Sequence, residues 1–197
     1  IPWFRSRIRY VGFCRLLIQQ NRYELSSHKR STNYSLMDVT IPYTPRKQQA
    51  FIHKELDKKR FSVLCCHRRF GKTVMLINHL IKCCMTNQNH APRFAYIAPT
   101  YSQAKKIAWD YLKFYTKGLP QTKYNETELR ADFFNGSRIQ LLSAENPDSI
   151  RGIYLDGVVC DEASQINREL VDEVLRPALS DRKGWMTLCS TPKGMNN

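Results

Sequence analysis

The sequence predicts an α/β domain in which a mainly parallel β-sheet is flanked by helices, with a β-hairpin insertion. Apolar runs with strand character alternate along the chain with segments whose apolar residues recur at helical spacing. Two runs, VVC at 158–160 and MTLC at 186–189, are continuously apolar, which is typical of parallel strands buried on both faces. The dipeptide Asn135-Gly136 favours a tight turn between paired strands and indicates the hairpin.

The elements follow one another in a regular order. A helix is predicted over 46–59, because Thr44 is a candidate N-cap and Pro45 suits the first turn. Pro177 is expected to end or kink its helix, because proline lacks a backbone N–H. The other predictions are strands at 61–65, 93–99, 155–163 and 184–194, helices at 72–85, 101–115 and 167–179, and hairpin strands within 126–134 and 137–144.

Length and charge narrow the class of protein. The 197 residues suffice for one domain with a buried core. No apolar run approaches the roughly 18–20 residues that span a bilayer, so we expect no membrane partner. Arginines are dispersed through the first 20 residues, a pattern that excludes a signal peptide. The net charge of +14 favours a polyanionic partner such as nucleic acid.

The chain changes character at Met37. Residues 1–36 form a basic N-terminal extension with seven basic residues, one acidic residue and no sustained periodicity. This extension is a disordered basic arm, an interfacial amphipathic segment, or translated sequence upstream of a true start at Met37. Residues 37–197 are predicted to form the α/β domain. Because the chain stops directly after a strand and a turn, we expect a C-terminal truncation.

The seven cysteines do not predict a metal centre or a disulfide framework. They form no C-x-x-C pair, and the doublets at 65–66 and 83–84 are poorly spaced for one tetrahedral zinc ion. Cys160 and Cys189 lie in apolar runs, where cysteine behaves as a small hydrophobic residue. We therefore expect buried thiols in a reducing, intracellular environment.

The triplet Gly71-Lys72-Thr73 follows a predicted strand and opens a predicted helix, as the end of a phosphate-binding loop does. In such a loop, backbone N–H groups at a helix N-terminus face the phosphates. The lysine reaches the β- and γ-oxygens, and the threonine hydroxyl ligates Mg²⁺. The first glycine of the usual pattern is replaced by Cys66, so a basic turn that caps a helix is the alternative.

A second motif supplies carboxylates at the end of another strand. Asp161 is predicted to lie on the Mg²⁺ side, and Glu162 to orient or activate the attacking water. The alternative is that the two acids only begin a helix, since acids suit a first turn. Together with the glycine-lysine-threonine triplet, they predict a nucleoside triphosphatase with an ASCE-type P-loop NTPase fold. Within the loop, Arg68 or Arg69 is expected to stabilise charge on a phosphate, although surface arginines are common.

The motifs at this point resemble the ATPase domain of the large terminase subunit, the motor that packages DNA in tailed phages and herpesviruses. The family's phosphate loop, R-x-x-G-K-[ST], is matched by Arg68-Arg69-Phe70-Gly71-Lys72-Thr73. Its Walker B strand is matched by VVC followed by Asp161-Glu162, and its coupling motif by Ser190-Thr191-Pro192. The segments YIAPTYSQAKK (96–106) and SIRGIYLD (149–156) are also similar to this family.

The resemblance implies an ATP- and Mg²⁺-dependent hydrolase with assigned residues. Catalytic roles fall on Glu162, Arg68, Lys72 and Thr191, and the metal ligands are Thr73 and Asp161. Gln49 would contact adenine, unless Gln48 does, and Ser190 would sense the γ-phosphate. The other implied nucleotide contacts are the loop residues Arg68, Arg69, Phe70, Gly71, Lys72 and Thr73. Arg151 either acts on a neighbouring subunit's ATP or is an ordinary loop arginine.

The resemblance also implies binding partners and a location in the cell. They are double-stranded DNA, the portal protein and the small terminase subunit, with a homo-oligomeric ring on the procapsid portal in the host cytoplasm. The family's nuclease domain is absent from these residues, so DNA cleavage is not expected. A helicase-like DExx ATPase core and a non-catalytic, basic DNA-binding fragment remain as alternatives.

Overall fold

The computed structural model describes the backbone of residues 7–10, 15–23 and 32–192, and side chains from residue 39 onward. The strands are β1 (Arg7–Tyr10), β2 (Arg15–Tyr23), β3 (Thr32–Thr40), β4 (Phe61–Cys65), β5 (Arg93–Ala98), β6 (Lys123–Asn125), β7 (Arg130–Asp132), β8 (Arg138–Ser143), β9 (Gly157–Cys160) and β10 (Trp185–Ser190). The α-helices are α1 (Lys47–Leu56), α2 (Lys72–Thr86), α3 (Tyr101–Gln103), α4 (Asp110–Thr116) and α5 (Arg176–Ser180). Short 3₁₀ turns occur at Pro147–Ser149 and Ala163–Gln165.

A seven-stranded sheet forms the centre of the domain, with the strand order β4-β10-β9-β5-β8-β7-β6. The first five strands in this order are mutually parallel, and β7 and β6 continue the sheet in antiparallel pairing. The predicted α/β class with a mainly parallel sheet is therefore confirmed. Strand β10 separates β4, which precedes the phosphate loop, from β9, which precedes the acidic pair.

Both faces of the sheet are buried at its central strands β5 and β9, whereas the edge strand β4 exposes Phe61, Val63 and Cys65 on one face. Phe94 and Tyr96 of β5 pack with Val159 in a core that also contains the apolar face of α2. Their neighbours Ala95 and Ile97 pack on the opposite face, in a core that also contains the residues of the helix ending at Ser180. This alternation follows from the two-residue period of a strand.

The hairpin is confirmed at Asn135-Gly136. Strands β7 and β8 pair in antiparallel register, with Asp132 opposite Arg138. Gly136 adopts a φ of 78° in the turn, a left-handed conformation in which glycine has no Cβ to clash.

Two predicted helices contain π-helical turns. The segment Ala104–Trp109 is π-helical and joins α3 to α4, so the helix predicted over 101–115 is present but not uniform. The segment Leu170–Leu175 is also π-helical and leads directly into α5. The helix continues through Pro177 to Ser180, so the proline does not end it, and the π-helical turn lies directly before the proline.

The backbone of β1, β2 and β3 forms a separate antiparallel sheet. Met37, where the sequence changes character, lies inside β3. Residues 1–6, 11–14 and 24–31 of the basic extension, and residues 193–197, lie outside the described residues. The origin and role of residues 1–36 therefore stay predictions. Within the described part of the chain, no helix is long and apolar enough to cross a membrane.

Replacing Gly157 by alanine is expected to destabilise the fold. A Cβ at this position would lie 2.6 Å from Nε1 of Trp185, whose ring also packs edge-on against His79. Overpacking of this kind costs about 1–3 kcal/mol, which corresponds to a fall in melting temperature of about 3–10 °C for a domain of this size. Thermal unfolding followed by circular dichroism measures the change.

Gly118→Ala is the matched control, because a Cβ there meets only atoms at 4.0 Å. Equal melting temperatures for the two variants would contradict the packing described for Gly157 and Trp185.

Candidate nucleotide-binding site

The carboxyl ends of three neighbouring parallel strands bring the predicted motifs together. The loop 66–71 follows β4, Thr191 follows β10 and Asp161 follows β9. Ligands of open α/β sheets bind at this edge. An open cleft of about 500 Å³ lies here. It is lined by Arg68, Thr73, Tyr96, Ala98, Pro99, Gln103, Ile107, Asp161, Glu162, Gln165, Thr191 and Pro192.

Gly71 is required by the geometry of the loop. It is the N-cap of α2 with a φ of 82°, in the left-handed region. A Cβ would lie 2.7 Å from Nη2 of Arg46 and 2.9 Å from Nε2 of Gln49. The positive φ strains any residue with a Cβ, and a side chain would also have to displace the ends of Arg46 and Gln49. Helix α2 begins directly at Lys72. This arrangement is that of a phosphate-binding helix N-terminus.

Gln49 ties α1 to the loop. Its side chain is buried, with 4% of the residue exposed, and its Oε1 accepts a hydrogen bond from the Arg46 N–H at 3.0 Å. Its Nε2 donates to the carbonyl of Phe70 at 3.1 Å, and the Arg46 guanidinium donates to the same carbonyl. Gln48 is exposed. Which glutamine reads adenine stays a prediction.

Lys72, Thr191 and Glu162 form a continuous set of contacts. The Lys72 ammonium donates to Oγ1 of Thr191 at 2.7 Å, and that hydroxyl donates to Oε1 of Glu162 at 3.1 Å. The distance from Lys72 Nζ to the same Glu162 oxygen is 3.8 Å. Only 10% of the Lys72 side chain is exposed, so its charge acts in a largely desolvated place.

Asp161 lies beside the hydroxyl of Thr73, the other residue predicted to ligate the metal ion. Its Oδ2 accepts hydrogen bonds from Oγ1 of Thr73 at 2.9 Å and from Oη of Tyr96 at 2.5 Å. Its Oδ1 accepts from the Glu162 N–H at 3.0 Å. The pKa of Tyr96 is raised well above its usual value by burial and then by the Asp161 charge, so the phenol stays a donor.

This pair fits a divalent metal ion. Asp161 is buried, at 6% exposure, yet no lysine, arginine or histidine of the described residues lies within ion-pair distance of it. A buried carboxylate without a basic partner is costly unless a cation compensates it. Carboxylate and hydroxyl oxygens are also the hard ligands that suit Mg²⁺.

Glu162 is held in a strained backbone conformation at the mouth of the cleft. Its φ is 48° and its ψ 45°, in the left-handed region, which costs a non-glycine residue about 1–3 kcal/mol. Its side chain is 31% exposed. The short turn Ala163–Gln165 that follows brings Ser164 close to Ser190, whose hydroxyl donates to the Ser164 hydroxyl at 2.8 Å.

The two loop arginines differ in position. Arg68 is exposed and lines the cleft, and among the described residues its guanidinium has no hydrogen-bond or ion-pair partner. Arg69 is exposed with a φ of 63° and does not line the cleft. The structure thus brings Arg68, but not Arg69, to the other predicted residues. The backbone carbonyl of Phe70 accepts hydrogen bonds from Gln49 and Arg46, and these bonds hold Phe70 beside α1.

The expectation of buried thiols holds for Cys84, Cys160 and Cys189, but it is wrong for Cys65, which is exposed at the edge of the sheet, and Cys66 and Cys83 are only partly buried. Cys65, Cys66, Cys83, Cys84, Cys160 and Cys189 are all free thiols. Cys160 and Cys189 are buried, as predicted. Cys66, which replaces the usual first glycine, donates its N–H to the carbonyl of Ser190 and extends the pairing of β4 with β10. Burial raises the pKa of its thiol.

Comparison with known proteins distinguishes a terminase ATPase domain from a helicase-like ATPase core. A family model described as terminase large subunit, T4likevirus-type, N-terminal, matches residues 67–197. The chain belongs to the terminase large-subunit family. The terminase large subunit of Thermus phage G20c is 30% identical over 175 residues, and that of Escherichia phage T5 is 30% identical over 160 residues. These matches cover 79% and 78% of the chain but 35% of each relative, so the chain spans about a third of their length.

Solved terminases share the fold. The large terminase ATPase domain of Thermus phage P74-26 superposes with a TM-score of 0.66 at 27% identity, covering 79% of this chain and 68% of that one. The large terminase of bacteriophage HK97 gives a TM-score of 0.63 at 16% identity, covering 76% of this chain and 33% of that one. The predicted P-loop NTPase fold is confirmed, and the helicase-like alternative is not favoured.

Three further residues at this terminase site escape the sequence patterns. Tyr96 is in an apolar strand and reads as a core residue, and Arg46 reads as a surface charge before a helix. Ser164 follows the acidic pair without any motif of its own. The one available signal is the run YIAPTYSQAKK, which places Tyr96 in a segment similar to the family.

Proposed function

We propose that this chain is the ATPase domain of a viral DNA-packaging motor, which hydrolyses ATP with Mg²⁺ to drive double-stranded DNA into a procapsid. Membership of the terminase large-subunit family supports the proposal. The observation that carries it is the set of contacts from Lys72 through Thr191 to Glu162, adjacent to the hydrogen-bonded pair of Thr73 and Asp161. Phosphate binding, metal binding and water activation thereby fall within one cleft.

Nucleotide binding begins at the loop. The backbone at Gly71 and the N-terminus of α2 receive the phosphate oxygens, and the Lys72 ammonium exchanges its contact with Thr191 for the β- and γ-phosphates. Arg68, which lines the cleft without a partner among the described residues, contacts the phosphates. Arg69 and Phe70 of the same loop are proposed as further nucleotide contacts. Gln49, fixed between α1 and the loop, is the candidate adenine reader.

Thr73 and Asp161 are the residues that would hold a Mg²⁺ ion. When bound, the ion would supply positive charge that favours phosphoryl transfer. In this chain the Thr73 hydroxyl and the Asp161 carboxylate are already oriented toward each other at 2.9 Å, so both oxygens can face the same cation.

Glu162 is the general base that orients the attacking water. Its carboxylate stands at the mouth of the cleft and contacts the Thr191 hydroxyl, which in turn contacts Lys72. Arrival of the γ-phosphate draws the Lys72 ammonium away from Thr191 and from the Glu162 carboxylate, and Glu162 can then accept a proton from water. The strained backbone of Glu162 limits the directions in which its side chain can point.

Ser190 and Thr191 couple the γ-phosphate site to movement. Thr191 contacts both Lys72 and Glu162, and Ser190 joins β10 to the turn after the acidic pair through Ser164. Loss of the γ-phosphate thus changes contacts on two adjacent strands. In the assembled motor this change is transmitted to double-stranded DNA, for which the +14 net charge is suited.

The remaining partners follow from the family. We propose that the chain acts in a homo-oligomeric ring on the portal protein, together with the small terminase subunit, in the host cytoplasm. Arg151, whose guanidinium lies 3.3 Å from Asp148 and is largely exposed, is available to a neighbouring subunit.

The proposed function is tested with the purified chain bound to portal-bearing procapsids. Addition of double-stranded DNA should stimulate Mg²⁺-dependent ATP hydrolysis, and DNA should become protected from an added nuclease as ATP is consumed. ATP hydrolysis that is not stimulated by DNA, with no DNA protected from the nuclease, would contradict the proposed motor function. Unwinding of a forked duplex under the same conditions would indicate the helicase class instead.

A further inference from the structure

Tyr96 occupies an unusual place for a tyrosine hydroxyl. It lies on β5, which β9 and β10 separate from β4, and 3% of the residue is exposed. Its ring belongs to the core beneath α2, while its hydroxyl reaches the floor of the nucleotide cleft. A buried phenol needs a hydrogen-bond partner, and here the partner is Oδ2 of Asp161 at 2.5 Å.

The Asp161 carboxylate is fixed from three directions. The backbone holds it through the Asp161 N–H, which donates to the carbonyl of Ile97, and through the Glu162 N–H, which donates to Oδ1. On Oδ2 the donors are Thr73 and Tyr96. All three donors to the carboxylate are neutral, so they set its direction without cancelling its charge.

Tyr96 and Thr73 both donate a hydrogen bond to Oδ2 of Asp161, but they lie in different parts of the fold. Thr73 lies at the start of α2, next to the loop proposed to bind phosphate, whereas Tyr96 is anchored in a central strand that pairs with β8 and β9. Only Tyr96 therefore holds Oδ2 from a position that is independent of the nucleotide. Hydrogen bonds that orient ligating carboxylates typically change metal affinity or activity by about 10- to 100-fold when they are removed.

We propose that Tyr96 is a positioning residue for the divalent metal ion: its hydroxyl fixes Asp161 in the orientation that accepts the cation beside Thr73. The proposal rests on the proposed nucleotide site and adds the residue that sets its metal affinity. Tyr96 acts through Asp161 and is not itself a ligand.

The test is Tyr96→Phe, which removes the hydroxyl and keeps the ring in the core. Binding of a fluorescent ATP analogue is titrated first in chelator and then at rising Mg²⁺ concentrations, and direct Mn²⁺ binding in the presence of the nucleotide is followed by electron paramagnetic resonance. We expect the half-saturating metal concentration to rise about 10-fold or more, with unchanged nucleotide affinity in chelator.

Tyr124→Phe is the matched control, because it removes a tyrosine hydroxyl that contacts Thr116 at 2.8 Å away from the cleft. This variant should titrate like the unchanged protein. A Tyr96→Phe protein with unchanged metal dependence would overturn the proposal, and so would one that loses nucleotide binding in chelator as well, because Tyr96 would then be structural. If the unchanged protein binds no nucleotide at all, the proposed function fails instead.

Discussion

Replacing Lys72 by alanine is expected to weaken ATP binding by about 10- to 100-fold, since hydrogen bonds to charged groups contribute about 1.5–3 kcal/mol. Lys72 directly follows the last residue of the loop, and only 10% of its side chain is exposed. Its nearest carboxylate oxygen, on Glu162, is 3.8 Å away, so the charge is available to a phosphate. Isothermal titration calorimetry with a non-hydrolysable ATP analogue measures the loss.

Lys82→Ala controls for the loss of one positive charge from the same helix. Lys82 lies at the other end of α2, where it pairs with Asp57 on the surface. This variant should bind the analogue like the unchanged protein. Equal affinity in the Lys72 variant and the Lys82 variant would show that the loop does not bind phosphate through its lysine.

Replacing Glu162 by glutamine should lower ATP hydrolysis by at least about 100-fold while nucleotide binding is retained. A general base contributes about 10²- to 10⁴-fold to a reaction, and glutamine cannot accept the proton from water. The substitution keeps the shape of the side chain and leaves the Asp161 and Thr73 pair untouched. Phosphate release is measured in an oligomerised or portal-bound preparation, because the proposed ring would bring a neighbouring subunit to the site.

Glu173→Gln, an exposed carboxylate on the π-helical segment, is the control for the change in net charge. It should hydrolyse ATP at the rate of the unchanged protein. A Glu162→Gln protein that retains this rate would remove Glu162 from catalysis. Absence of ATP hydrolysis in the unchanged protein would instead support the non-catalytic, DNA-binding alternative.

Sequence patterns predict the strands and the loop of this site well, for physical reasons. Strand β4 matches its predicted bounds residue for residue, and α2 matches within one residue, because a short, largely apolar run and an apolar helical stripe leave little choice of structure. The acidic pair is predictable because it directly follows a buried strand. Parallel pairing then brings the ends of β4, β9 and β10 together at one edge.

Contacts between distant segments are not predictable in the same way. The hydroxyl of Tyr96 meets Asp161 across 65 residues of chain, and no local pattern distinguishes it from any other core tyrosine. Gln49 and Arg46 meet the loop through its backbone carbonyls, which have no sequence signature. The π-helical turns depend on packing of whole helices against the sheet, so periodicity alone does not reveal them.

The measurement that tests the central claim most directly is a crystal structure of the Glu162→Gln variant with ATP and Mg²⁺. We predict that the γ-phosphate contacts Lys72, that the Lys72–Thr191 hydrogen bond is broken, and that the metal ion lies between Thr73 and Asp161. A nucleotide bound outside the cleft between β4, β10 and β9, or a metal ion that contacts neither Thr73 nor Asp161, would contradict the account.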